Sequence, residues 1–154
     1  MAITAGIVDL QGGTLNGPPA GISLGTQGII QGYGAINGAL VGGGNVNATG
    51  ANQSQVLQIN GNVDQSGDAT TFGIGAGTLK FENVVVGAIN IQPVTDFKGS
   101  TNDGMLDLTA ISPGNLTTFG ANARLKDMAG NDGIKITDAH HTTYSNGLLN
   151  VYDS

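Results

Sequence analysis

The sequence contains no cysteine and no tryptophan, and only 10% of its 154 residues are charged. The absence of cysteine excludes disulfides and a thiolate nucleophile. A chain of this length buries roughly 70% of its unfolded surface, so it can fold as one domain without a metal or a disulfide. We therefore expect a single domain over residues 1–154.

Positive charge is scarce and scattered. The net charge is -6, and the basic residues are Lys80, Lys98, Arg124, Lys126 and Lys135. Without a basic cluster, nucleic acid is excluded as a partner. No apolar run is long enough for membrane insertion, and the first 15 residues lack the pattern of a signal peptide. A weakly charged chain rich in Gly, Asn and Thr is typical of extracellular or cell-surface β proteins, with a virion component as the alternative.

Groups that carry catalysis are also scarce. Adjacent His140 and His141 would point to opposite sides of a strand, and Glu82 is the only glutamate. No Gly-x-Ser-x-Gly elbow occurs, and the glycines do not have the spacing of a dinucleotide-binding loop. The sequence therefore predicts no enzyme, no catalytic residues, no cofactor-binding residues and no required cofactor.

One acidic turn could hold calcium. Asp127, Asn131 and Asp132 lie in the segment DMAGNDG, which supplies the oxygen ligands and the glycine bends that calcium sites use. The alternative is a plain turn, because Asn and Asp favour bends without any metal. These three residues are the candidate metal ligands, with calcium as an optional ion.

Alternation of apolar and polar residues dominates the chain. Leu57, Ile59 and Val63 alternate with polar residues, and TLKFE, AINIQ, MLDL, GIKIT and LLNVY repeat the pattern. Such runs of four to six residues, separated by Gly, Asn and Asp, predict half-buried strands. We expect an all-β protein, with a short helix near 138–145 as a minor alternative.

A repeated phrase indicates how the strands are arranged. An apolar residue followed by Asn-Gly occurs at 15–17, 36–38 and 59–61, in steps of 21 and 23 residues, and GTL at 13–15 and 77–79 brackets the series. A step of this size matches one circuit of a parallel β-solenoid, which is our leading fold prediction. An antiparallel β-sandwich or jelly roll is the alternative, because Asn-Gly also favours hairpins; Pro18 and Pro19 argue against a hairpin at the first copy.

The two halves of the chain differ in composition. Nineteen of the 27 glycines precede Thr78, all five basic residues follow it, and Asp9 is the only charge before Asp64. Within the single domain we therefore distinguish a glycine-rich neutral half, 1–77, from a more charged half or cap, 78–154.

The two ends of a solenoid are open sheet edges that can add strands of another chain. The β-prone start MAITAGIVDL contains Ile3, Ile7 and Val8, and Tyr33 is the only aromatic residue in 29–50. We assign these four residues to self-association. The alternative for the first segment is an ordinary first strand of its own domain.

Residues 11–111 resemble the repeats of bacterial β-solenoid adhesins of the autotransporter and filamentous-haemagglutinin types. The resemblance rests on QGGTLNG, on GYGAINGALVGGGNVNATG, and on the phrases GTLKF at 77–81 and DLTAI at 107–111. It implies a secreted, non-enzymatic, right-handed solenoid used in adhesion or matrix building. It offers no catalytic residues to carry over.

Together these features predict a structural subunit that self-assembles into extracellular fibres or a biofilm-type matrix, with adhesion as a related use. The expected partners are other copies of the chain, with cell-surface or polysaccharide contact in addition. The alternatives are a calcium- or carbohydrate-binding surface module and a phage decoration or fibre protein.

Overall fold

The computed structural model describes residues 1–64, 66–67, 70–83, 85–86, 88–93, 105–108, 110, 117–119, 124–125, 133–135, 142–144 and 150–151. Beyond residue 83, side chains are described only for 105–108 and 110. All the regular structure of these residues is β-strand, and every strand pairing is parallel. None of the described residues forms a helix long and apolar enough to cross a membrane.

The described strands are short and follow one another closely. In chain order they are β1 (Ala2–Asp9), β2 (Thr14–Asn16), β3 (Ile22–Gly32), β4 (Gly34–Asn37), β5 (Leu40–Gly42), β6 (Asn45–Ala48), β7 (Val56–Ile59), β8 (Val63–Asp64), β9 (Thr71–Ile74), β10 (Thr78–Phe81), β11 (Val85–Val86), β12 (Ala88–Pro93), β13 (Met105–Asp107), β14 (Thr117–Phe119), β15 (Arg124–Leu125), β16 (Gly133–Lys135), β17 (Thr142–Tyr144) and β18 (Asn150–Val151).

These strands form a parallel β-solenoid of about four turns, as the sequence predicts. The first face stacks the start of β3 on β5, β8 and β11, and the second stacks the end of β3 on β6, β9, β12, β14 and β17. The third face has the order β2, β4, β7, β10, β13, β16. Strand β1 pairs along β3 and so covers parts of the first two faces. Strands β15 and β18 pair separately.

Rows of apolar side chains run along the inside of the solenoid. One row on the third face contains Leu15, Ile36, Ile59 and Phe81, each in register with the next. A row on the second face contains Val8, Ile30, Val46 and Phe72. The rings of Phe72 and Phe81 meet edge to face with centroids 5.1 Å apart, a geometry worth about 0.5–1.5 kcal/mol beyond its buried area. Through this contact the rows of the second and third faces form one core.

The repeated Asn-Gly phrase marks successive circuits, and its three apolar residues occupy one row. The hairpin interpretation is wrong for LQINGNVD, because β7 and β8 belong to different parallel faces and do not pair with each other. The two GTL phrases are not equivalent: Leu15 shares a row with Phe81, whereas Leu79 pairs with Leu57 and Leu106.

The minor alternative of a helix near 138–145 is wrong where the structure describes that segment. Thr142–Tyr144 is strand β17, paired in parallel with β14. The third-face ladder runs without interruption from β7 through β10 to β13, across the change of composition at residue 77. The division into two halves stays a prediction about composition and domain organisation.

Close stacking at the corner of the Asn-Gly phrase leads to a first prediction. A Cβ added at Gly61 would overlap the carbonyl group of Gly38 in the preceding circuit, whereas a Cβ at Gly67 would have no atom within 4 Å. Neither glycine has a positive φ. We expect Gly61→Ala to destabilise the protein by about 1–3 kcal/mol through overpacking. Gly67→Ala should stay within about 1 kcal/mol, in the stabilising direction.

Urea unfolding followed by circular dichroism measures both changes. Because the two variants make the same chemical change, the effect on the unfolded chain is matched. Equal stability of the two variants would contradict the close approach at Gly61.

Candidate functional site

The most distinctive surface is the free edge of β1. Strand β1 pairs with β3 on one side, and no other described strand pairs with it. Its backbone groups on the far side therefore lack a ladder within the described part of the chain, which is the condition that lets a sheet add another strand. The start of the strand is held in place by the Met1 amino group, which donates to the Gly21 carbonyl oxygen at 3.0 Å.

The core is only half covered at this end. Apolar side chains of the first circuit pack against the buried core but remain partly accessible: Ile3, Val8, Leu10 and Leu15. Their register partners in the next circuit, such as Ile30 and Ile36, are fully buried. The first circuit therefore presents the same inner row as the others, with nothing described above it.

An apolar pair lies on the outer side of the same edge. Ile7 is 62% exposed and is in register with Ile29 of β3, which is half-buried. The nearest charge is Asp9, whose carboxylate accepts a hydrogen bond from the Gln11 side chain at 3.1 Å. Natural edge strands are usually protected by lysines, prolines or bulges. Here one carboxylate and one register irregularity between Ile3 and Ala5 are the only such features in β1.

A ladder of asparagines runs up the corner of the third face. Asn60 donates from Nδ2 to Asn37 Oδ1 at 2.6 Å, and Asn37 donates from Nδ2 to Asn16 Oδ1 at 2.8 Å. Gln58 in turn donates to Asn60 Oδ1 at 2.7 Å. The three asparagines, Asn16, Asn37 and Asn60, come from the three copies of the Asn-Gly phrase. Each one supplies both a donor and an acceptor, so one residue type can be repeated along the stack.

The asparagine ladder is followed in the next circuit by a charged residue. The position after Asn60 in this stack is Glu82, next to Phe81, and its carboxylate pairs with Lys80 at 2.5 Å. The hydrogen bond from Lys80 to Glu82 raises the pKa of Lys80, and partial burial opposes the rise. Both side chains are about a quarter exposed, so this ion pair contributes little to stability.

The other described acids are tied to local partners. Asp64 accepts hydrogen bonds from the hydroxyl and the backbone N–H of Ser66, which lower the pKa of the Asp64 carboxyl. Across the residues that the structure describes, no three His, Cys, Asp or Glu side chains come close enough together to hold a metal ion. The predicted calcium ligands Asp127, Asn131 and Asp132, and also His140 and His141, lie outside the described residues.

The four residues predicted for self-association fall into two groups. Ile3, Ile7 and Val8 lie together on β1, which is also a strand of the protein's own solenoid. Tyr33 lies apart from them, half-buried between β3 and β4, with its ring against Gly12. The sequence did not single out Leu10 or Ile29 as part of the edge, because their positions beside β1 depend on the pairing register.

The asparagine ladder generates a second prediction. Asn37 makes two side-chain hydrogen bonds of the ladder and Asn16 makes one, each worth a net of about 0.5–1.5 kcal/mol. We expect Asn37→Ala to lower the free energy of unfolding by about 1–3 kcal/mol and Asn16→Ala by about half as much. Because the two residues share a bond, the double variant should lose less than the sum.

Denaturant unfolding of the single and double variants tests this ladder. Asn45→Ala is the matched control, since Asn45 lies on β6 and makes no side-chain hydrogen bond to the described residues. Equal losses in Asn45→Ala and Asn37→Ala would show that the ladder does not stabilise the stack.

Comparison of the chain with known proteins gives no family assignment. The resemblance to adhesin repeats and the right-handedness that it implies therefore stay predictions. No protein-family model, curated protein or solved structure matches the chain.

Proposed function

We propose that this protein is a non-enzymatic structural subunit that self-associates into extracellular fibres or a matrix, with adhesion as a related use. The observation that carries the proposal is the free edge of β1, where an unladdered strand lies over a half-covered apolar row. Burial of apolar surface contributes roughly 25 cal/mol per Å², so covering this row would favour association.

A second copy of the chain is the occupant that fits this edge. A copy laid on the first circuit must place apolar residues over Val8 of β1 and Leu15 of β2, at the spacing that each circuit of the solenoid already has. Another copy of the chain has that spacing because its own circuits are built in the same way. Contact between two β1 edges would give a closed dimer, whereas contact between β1 and the opposite end would give an open fibre.

The low charge of the first circuits supports the same function. Between Met1 and Val63 the only charged side chain is Asp9. Stacked copies would therefore bring few like charges together and few charges would need to be desolvated. A location outside the cell or on its surface is part of the proposal, and a virion fibre or decoration protein is the alternative that the same features support.

Ile7→Lys tests the proposal at the edge itself. A lysine on an edge strand must keep its ammonium group hydrated, which opposes the addition of a neighbouring strand. We expect the variant to remain folded and to self-associate at least about tenfold more weakly, a change of about 1.4 kcal/mol. Sedimentation velocity over a range of protein and salt concentrations measures the association, and negative-stain microscopy gives the form of the particles.

Val41→Lys is the matched control. Val41 is 39% exposed, but it lies on β5, which is paired with β3 on one side and β8 on the other. This variant should assemble like the unmodified protein. The proposal would be refuted if the unmodified protein were a monodisperse monomer under all conditions. It would also be refuted if Ile7→Lys and Val41→Lys weakened self-association equally.

A further inference from the structure

A shallow groove of about 450 Å³ crosses the stack at the corner between the second and third faces. Three successive passes of the chain line it: residues 12–14 before and in β2, residues 33–35 at the start of β4, and residues 54–56 and 58 at the start of β7. Since neighbouring strands are about 4.8 Å apart, the groove spans roughly 10 Å along the solenoid axis.

The lining is polar but uncharged. It contains two hydroxyl side chains and two amide side chains in addition to Tyr33, namely Thr14, Ser54, Gln55 and Gln58. Part of this hydrogen-bonding capacity is used inside the protein: Gln55 Oε1 accepts from the Ala51 N–H, and Gln58 donates to Asn60. Gln55 Nε2, Gln58 Oε1 and the hydroxyl groups of Thr14 and Tyr33 make no hydrogen bond to the described residues.

Tyr33 is the aromatic wall of the groove. The Gly12 N–H donates to the Tyr33 carbonyl oxygen at 2.7 Å, and a Cβ at Gly12 would lie 3.1 Å from Tyr33 Cε2. The φ of Gly12 is +88°, a conformation that disfavours any other residue there. The absence of a side chain at Gly12 leaves room for the ring to lie against the backbone of the preceding circuit.

We propose that this groove binds a short stretch of a neutral carbohydrate chain. The C–H face of a sugar ring suits the electron-rich face of Tyr33. Sugar hydroxyl groups both donate and accept, and so match the unpaired amide and hydroxyl groups around it. A shallow site on the side of the stack also suits a polymer, because an internal stretch of the polymer can bind there without a chain end having to enter the site.

Other ligand classes match the lining less well. A phosphate or sulfate ester would find no cationic side chain among the lining residues, and a metal ion would find no carboxylate there. A lipid chain would have to cover polar groups that have no partner among the described residues, which is unfavourable. The groove opens on the side of the stack, and its residues Gly12, Gly13 and Thr14 lie in the first circuit, next to the end where association is proposed.

Calorimetric titration of the full chain with defined oligosaccharides tests the proposal. The probes are neutral hexasaccharides of glucose, mannose and N-acetylglucosamine in several linkages, and heparin is the sulfated comparison. We expect saturable binding of at least one neutral probe. Loss of the aromatic wall in Tyr33→Ala should weaken that binding about tenfold, and Tyr33→Phe should weaken it by about threefold or less.

Two further variants separate the groove from general effects. Thr14→Val removes one groove hydroxyl from an exposed position at nearly constant shape and should weaken binding a few-fold, whereas Val41→Ala lies on the first face and should not change it. Circular dichroism and melting curves establish that each variant is folded. The proposal is overturned if no neutral probe binds saturably, if heparin alone binds, or if folded Tyr33→Ala binds as well as the unmodified protein.

Discussion

Parallel strands that pair in register place each side chain directly above one in the circuit below, about 4.8 Å away. The stacked positions of the described strands all have to satisfy that distance. Inside the solenoid the requirement is met by apolar rows such as Leu15, Ile36, Ile59 and Phe81. On the outer surface of the solenoid, the requirement is met by residue types that can lie next to a second residue of the same type. Asparagine does so because its amide is complementary to another amide, and glycine does so because it has no side chain.

The same distance accounts for the distribution of charge. Like charges directly opposite each other on neighbouring strands are destabilising. The early circuits avoid the problem by being nearly uncharged, and one of their outer stacks consists of the amides Asn16, Asn37 and Asn60. Where charge does enter the third face, opposite signs alternate in register, from Lys80 to Asp107 to Lys135. Within the described strands, uncharged stacks and alternating signs are therefore two ways of satisfying one spacing.

Much of this arrangement could be predicted from the sequence because it is periodic. Alternation identified the buried faces of β7, β10 and β13, and the spacing of the Asn-Gly phrase identified the length of a circuit. What is not periodic was missed or misplaced. The two GTL phrases look alike, but their leucines belong to different rows. The phrase by itself does not show with which strand, and in which register, each leucine pairs. The groove is lined in part by Ser54 and Gln55, which precede β7 and lie outside the alternating pattern, and Ile29 joins the β1 edge only through its pairing with Ile7.

The asparagine ladder also constrains how a protein of this kind can change in length. Its steps are 21 and 23 residues, and the amides meet in both, so circuits of different length keep the same register at this corner. An insertion at a corner changes only the outline of one circuit, whereas an insertion within a strand would turn its inner row outward. A gene encoding this fold can therefore grow or shrink by whole circuits, each moving the two ends of the rod apart by one strand spacing while the contacts within every remaining circuit stay the same.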